Sequence, residues 1–292
     1  MRLLFLYFSG TGNTDYVARY LADRVAKPGL AIELRSIEWQ PAETVKEFDL
    51  LAVGFPVYAG DAPSLMREYI EKLPPGGGRP CIVFCTQGAW AAGALRLNLQ
   101  RLAARAYVPV ARGSVTMPGS DGLAMVSKDS WLARKAIEKD YDHLRDADRL
   151  AERLIEIVHC LESGQSMDEL LLPLPSGSNP RLTDKAWALA YGLTESWAKS
   201  RFRGTSQCQG CGLCAQLCPV DNIQVHSDGP SFSDGCILCM RCVHACPTES
   251  IQIGTVTMGK FRWHGPKGDF EAIRMRPAGE RTHSQSSASW PT

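Results

Sequence analysis

Residues Arg2 to Phe8 form a short apolar run that stops at the glycine-rich turn Ser9-Gly10-Thr11-Gly12. An apolar run without alternation is how a strand buried on both faces reads. From Thr14 the period changes. Val17, Leu21 and Val25 recur every four residues, with Asp15, Arg19, Asp23 and Arg24 between them, which predicts an amphipathic helix. Pro28-Gly29 ends it. Ala31 to Ile37 and Asp49 to Phe55 read as strands, and Pro63 begins a second helix, proline being favoured in the first turn. Cys81 to Cys85 is another buried strand, followed by an Ala- and Leu-rich helix to about Ala104. Tyr107 to Val115 carries Pro109 within it, which places that strand at a sheet edge. A long helix is expected roughly from Asp129 to Leu161. Strand and helix alternate throughout, the signature of an open parallel sheet wrapped on both faces.

The alternation stops after residue 162. Pro173 to Pro180 is a linker by composition, and Ala186 to Phe202 reads as one more helix, with Trp187, Tyr191 and Trp197. The stretch from Arg181 to Arg203 is basic, with Arg181, Lys185, Lys199, Arg201 and Arg203 against Asp184 and Glu195. The next window, 204–256, is acidic: Arg241 stands alone against Asp221, Asp228, Asp234 and Glu249. The opposite charges suggest docking of helix on window, though a solvated helix face accounts for them equally well. From Gly279 the chain is Ser-rich and aperiodic, and disorder is expected there. The division is therefore 1–162, a connector at 163–203, a second domain at 204–256, and a tail at 257–292.

The second domain holds eight of the eleven cysteines. Cys208-x-x-Cys211-x-x-Cys214-x-x-x-Cys218-Pro219 repeats as Cys236-x-x-Cys239-x-x-Cys242-x-x-x-Cys246-Pro247. Three evenly spaced thiolates in one tight loop serve one iron–sulfur cube, and the fourth, before the proline, reaches the other cube. One 4Fe–4S cluster is thus expected on Cys208, Cys211, Cys214 and Cys246, and a second on Cys236, Cys239, Cys242 and Cys218. Zinc ribbons take two cysteine pairs per metal and need neither the third cysteine nor the proline.

Length and charge change this picture little. A chain of 292 residues suits two domains. A net charge of +1 argues against a polyanion binder, so nucleic acid is not an expected partner. The apolar N-terminus lacks the polar lead and small-residue cleavage site of a signal peptide. No apolar run is long enough for a membrane span, and the expected location is cytoplasmic. Cys81, Cys85 and Cys160 are best read as core packing. No catalytic triad or paired-carboxylate arrangement stands out, so no catalytic residue is assigned.

Ser9-Gly10-Thr11-Gly12-Asn13-Thr14 opens the first helix at the end of the first strand. Its glycines allow close backbone approach, and its hydroxyls and the helix N-terminus favour an anion. It has neither the lysine of a Walker loop nor the third glycine of a dinucleotide fingerprint, which suits a lone monoester phosphate. On these residues the N-terminal half resembles the flavodoxins, whose Ser/Thr-x-Thr-Gly-x-Thr loop binds the FMN phosphate. The resemblance implies flavin-ring contacts from Pro56, Tyr58, Ala59 and Gly60 and from Thr86, Gln87, Gly88 and Trp90. Tyr58 and Trp90 are the candidate stacking aromatics, Gly60 the candidate backbone switch, and Met117 to Ser120 a further wall. The cysteine repeat resembles that of bacterial two-cluster ferredoxins. The implied fold class is α/β: a flavodoxin-like doubly wound parallel sheet with a small C-terminal α+β two-cluster ferredoxin domain.

The implied function is electron transfer between two 4Fe–4S clusters and FMN, coupling one-electron carriers to a flavin-dependent reduction. A flavin-dependent reductase of a small molecule and a flavin-less docking module are the alternatives. A redox protein is the expected partner, as donor or acceptor, and a homodimer stays open.

Overall fold

The computed structural model describes residues 1–173, 192, 194–268 and 270. Strands β1 (Arg2–Tyr7), β2 (Ala31–Ser36), β3 (Leu50–Pro56), β4 (Pro80–Gln87) and β5 (Val108–Thr116) form one sheet in the order β2-β1-β3-β4-β5. Every neighbouring pair is parallel. Alternate side chains of β1 enter opposite layers, as a two-sided sheet requires. Leu3, Phe5 and Tyr7 pack with helices α1 (Asn13–Val25) and α6 (Arg145–Ser163). Leu4, Leu6 and Phe8 pack with α2 (Ser64–Lys72) and α3 (Ala94–Ala104). This is the flavodoxin fold, doubly wound. The winding reverses between β1 and β3, so the loops after those strands open a crevice at the carboxyl edge. β5 lies at the sheet edge, as Pro109 required, and its register shifts between Cys81 and Ile82.

The helix expected over Asp129 to Leu161 is instead two, α5 (Trp131–Ile137) and α6, after the short α4 (Ser120–Leu123). The break has a local cause. Asp140 accepts the Asp142 amide at 2.9 Å, a side-chain turn that competes with helix. Tyr141 then points inward, 4% exposed, and donates to the Ala136 carbonyl at 2.6 Å.

The second domain is small and uses antiparallel pairs, as a ferredoxin domain does. β6 (Phe202–Gly204) pairs with β9 (Ile251–Ile253), and β7 (Ile223–His226) with β8 (Gly229–Phe232). Helices α7 (Leu213–Leu217) and α8 (Arg241–Ala245) follow the two cysteine loops. Phe202, expected to end a helix, is in β6, with its ring 5.4 Å from Phe232. Residues 194–199 are helical, and Ala198 is buried against Met240, Val243, Ile251 and Ile253. The connector's end therefore packs on this domain. Most of the expected linker and the first part of the expected helix, with Trp187 and Tyr191, lie outside the described residues.

The stretch expected to be a tail does not hang free over 257–268. It returns to the first domain. Phe261 donates its amide to Val126 at 3.0 Å, and Trp263 is 4% exposed in the α1/α6 layer, 6.4 Å from the Tyr141 ring. Two aromatics close together in sequence supply apolar area that solvent would leave unused. The Ser-rich stretch expected to be disordered lies outside the described residues. Among the described residues no helix is long and apolar enough to cross a membrane.

Candidate redox site: a phosphate loop under two cysteine loops

Ser9, Thr11, Asn13 and Thr14 are all buried at the carboxyl end of β1. Gly12 takes φ 97°, a left-handed turn that suits glycine, and starts α1 without any side-chain cap. The loop is braced from within and from its neighbours. Ser9 Oγ accepts the Gly12 amide at 3.2 Å, Asn13 Nδ2 donates to the Pro118 carbonyl at 2.7 Å, and the Thr14 and Thr86 hydroxyls are 2.8 Å apart. Asn13 Oδ1 is buried without a partner. Among the described residues, the amides of Gly10 and Thr11 serve no protein carbonyl. Uncapped helix, idle amides and a buried hydroxyl at Thr11 fit a phosphate group.

The loops expected around the flavin ring differ in what they do. Pro56 ends β3, and the Val57 amide donates to Thr86 at 2.9 Å, which ties the two loops together. Tyr58 and Asp61 exchange backbone hydrogen bonds of 2.9 and 3.0 Å across Ala59 (φ 54°) and Gly60 (φ 81°). Two positive φ values make this a type I′ turn. Arg101 holds the Asp61 carboxylate at 2.7 and 2.8 Å. The Tyr58 hydroxyl reaches Gly10: a Cβ there would stand 2.5 Å from it. Gln87 and Gly88 turn the other way, toward Thr116 and Gly119, and form the wall over Met117 to Ser120. Trp90 is half exposed. Cys81 and Cys85 are fully buried, and burial pushes each thiol up to about 12, which suits packing, not chemistry.

The thiols of the two expected ligand groups act on one another both within and between the groups: Cys246 acts with Cys211 and Cys208 on Cys214, Cys218 acts with Cys236 on Cys239, and Cys218 and Cys214 both act on Cys242. A small cavity is lined by Cys218, Cys236, Cys239 and Cys242 together with Phe202, Ile223, Phe232 and Met240. Backbone amides point at sulfur in both groups: Asn222 to Cys218 at 3.2 Å, Leu238 to Cys236 at 3.4 Å, Gly210 to Cys208 at 3.5 Å and Ser250 to Cys246 at 3.2 Å. Such donors are what a cluster's thiolates need. Burial pushes Cys214 up to about 11 and Cys239 to about 12, so either thiol would have to lose its proton to bind a metal.

The two halves of the site touch. A Cβ on Gly10 would lie 2.8 Å from the Cys239 carbonyl oxygen, so glycine is needed there to let the cysteine loop in. Arg241, 2% exposed at the start of α8, is inserted between them. It donates to the Ser9 and Gly10 carbonyls at 2.7 and 3.0 Å, to Leu217 at 2.9 Å, and to both Glu38 oxygens at 2.7 and 2.9 Å. His244 bridges the domains beside it. Its Nε2 lies 2.9 Å from the Ser120 carbonyl, and its Nδ1 accepts the Trp263 amide at 2.9 Å. Burial lowers its pKa to about 4, which fits the neutral ring that this pattern needs. On the far side of the loop Phe270 covers Gly12. Sequence reasoning did not single out Arg241, Glu38, His244 or Phe270. One signal was available, since Arg241 is the lone cation of an acidic window.

A flavodoxin domain matches residues 4–94, and a 4Fe-4S dicluster domain matches residues 200–251. No curated protein matches the chain. Among solved structures, a flavodoxin from the domain Archaea is 16% identical over 56% of this chain and 99% of its own, with a TM-score of 0.40. Rubredoxin oxygen:oxidoreductase from the anaerobe Desulfovibrio gigas is 16% identical over 56% of this chain and 36% of its own, also at 0.40. Two-electron reduced Megasphaera elsdenii flavodoxin is 22% identical over 38% of this chain and 84% of its own, at 0.35. The two matched domains make this an electron-transfer protein of flavin and iron–sulfur chemistry.

Proposed function

The chain is a flavodoxin–ferredoxin fusion, and from that premise we propose that it passes electrons between two 4Fe–4S clusters and an FMN. Cys236, Cys239, Cys242 and Cys218 hold the inner cluster. Cys208, Cys211, Cys214 and Cys246 hold the outer one. The idle amides of Gly10 and Thr11, the hydroxyls of Thr11 and Thr14 and the start of α1 hold the FMN phosphate, and Tyr58 with the turn at Ala59-Gly60 flanks the ring. When bound, FMN supplies the step between one-electron and two-electron chemistry. The observation that carries this reading is the contact of Cys239 with Gly10. It supports this reading because, with a cluster on Cys239 and FMN on the Gly10 loop, transfer between them would need no domain motion. The residues around the contact exclude water: Phe8, Ser9 and Thr14 are 0% exposed and Met240 is 3% exposed. The division of labour follows, with the flavodoxin domain through residue 162 holding flavin and the cysteine domain holding both clusters.

A second reading has an observation of its own. Tyr58 and Phe270 lie over Gly10 and Gly12, as they would if the loop were closed and the first domain only a platform for the clusters. One preparation decides between them. Anaerobically reconstituted protein is expected to release one FMN with acid and to contain iron and sulfide for two clusters. Full iron with no flavin, even after incubation with FMN, would sink the electron-transfer reading and leave the platform. Stopped-flow reoxidation by redox proteins but not by small molecules separates carrier from reductase.

A further inference from the structure

Arg241 belongs to the cysteine domain, yet two of its hydrogen bonds go to the phosphate loop. A guanidinium has five N–H groups in a fixed fork. All five are used here: one to Gly10, one to Ser9, one to Leu217 and two to Glu38. The pair is almost fully enclosed, at 2% and 1% side-chain exposure. Burying such a pair seldom adds stability by itself, because desolvation offsets the attraction. Its value lies in what it orients.

The orientation concerns two peptide units. All described peptide bonds are trans, and in a trans unit the N–H points opposite to the C=O. The unit joining Ser9 to Gly10 has its carbonyl on Arg241, so the Gly10 N–H is turned away from Arg241. The unit joining Gly10 to Thr11 is held the same way, and the Thr11 N–H is turned away likewise. Neither amide serves a protein carbonyl among the described residues. A glycine-containing loop has many conformations to lose on binding an anion. A loop already pinned by its carbonyls has lost them beforehand.

We infer that Arg241 is a positioning residue for the FMN phosphate: it pins the carbonyls of Ser9 and Gly10 and thereby presents the amides of Gly10 and Thr11 to the phosphate. This rests on the reading that FMN occupies the loop. Its consequence is a linkage between domains. Docking of the cysteine domain tightens the flavin, and bound flavin tightens docking by the same factor. Arginine suits the position because the three donors of an ammonium cannot replace the five hydrogen bonds of the guanidinium fork.

The test uses the full chain with its clusters in place and its flavin removed, titrated anaerobically with FMN and with riboflavin. Riboflavin has no phosphate and reports the ring contacts alone. Arg241→Lys is expected to weaken FMN by about tenfold or more, the equivalent of one charge-assisted hydrogen bond. Riboflavin affinity and iron content stay at wild-type level. Glu38→Gln loosens the fork without removing it, and should shift FMN in the same direction by a smaller factor; it also serves if Arg241→Lys loses its clusters. Unchanged FMN affinity in the variants overturns the inference, and so does an equal loss for FMN and riboflavin, which marks general damage. If wild-type protein binds riboflavin and FMN equally, the loop does not hold phosphate, and the reading beneath the inference fails. If it binds neither, the flavin reading as a whole fails.

Discussion

The two cysteine motifs have the same spacing and sit in one small domain, yet their surroundings are opposite. The group of Cys218, Cys236, Cys239 and Cys242 lines a small, mostly apolar cavity, against the phosphate loop. The group of Cys208, Cys211, Cys214 and Cys246 faces outward, with Cys211 exposed between Gly210 and Gly212, which are at φ 68° and 71°. Both groups receive amide hydrogen bonds, but Cys218 of the cavity group is buried, whereas Cys211 of the outer group is exposed. Cluster potential follows exposure and hydrogen bonds to sulfur, so equal motifs need not have equal potentials. The comparison gives the proposed wire a direction. In the proposed wire the inner centre would exchange electrons with flavin, and the outer one would be the port for a redox protein.

The sharpest way to break that comparison is to remove the crossing cysteines. Cys218→Ala is expected to lose the inner centre and Cys246→Ala the outer, each with about half of the iron and sulfide, because each of these thiols serves the cluster of the other motif. Spectra that assign the loss to a variant's own motif would refute the crossed grouping. Trp263→Ala comes next. Removing a buried indole costs about 3–5 kcal/mol, and the denaturant midpoint should fall accordingly, since Trp263 ties the returning segment to the α1/α6 layer and to His244. A midpoint equal to wild type would show that segment to be unimportant for the docked arrangement.

A smaller perturbation tests the contact itself. Gly10→Ala puts a methyl group against Tyr58 and the Cys239 carbonyl, an overpacking cost of about 1–3 kcal/mol, with loss of bound flavin; Gly122→Ala, which meets nothing within 4 Å, is the neutral control. Thr11→Ala with Thr14→Ala should weaken FMN by about 0.5–1.5 kcal/mol per hydrogen bond at constant iron. Parallel loss of iron would show that the two sites do not fold independently. Smallest of all is Lys128→Ala. Its pair with Glu249 also crosses the domains at 2.8 Å, but the lysine is half exposed, and exposed pairs contribute about 0–1 kcal/mol. An effect approaching that of Trp263→Ala would mean that surface charge, not burial, holds the domains together.

Much of the fold was legible along the chain. Five apolar runs with helical periods between them announced the parallel sheet, and Pro109 announced its edge. Those signals are local, since strand and helix periods repeat within a few residues. The break at Glu138 to Leu144 was missed because apolar spacing continues on both sides, while the inward turn of Tyr141 depends on a core contributed by distant residues. The C-terminal aromatics were missed for the same reason. Phe261 and Trp263 have no period of their own, and only the surface of the first domain gives them a place.

The sequence by itself determined the chemistry: eight cysteines at cluster spacing, and a glycine- and hydroxyl-rich loop at the start of a helix. Ligand sets of this kind are written into short stretches because the loop that binds is the loop that is spaced. Tertiary structure alone decided how the two chemistries meet. Arg241 reaches Ser9 and Gly10 across more than two hundred residues, and Gly10 admits Cys239 because neither domain's local pattern forbids it. Such contacts depend on the shape of two finished surfaces and on burial that pairs every donor of one guanidinium. No periodicity in either segment records that.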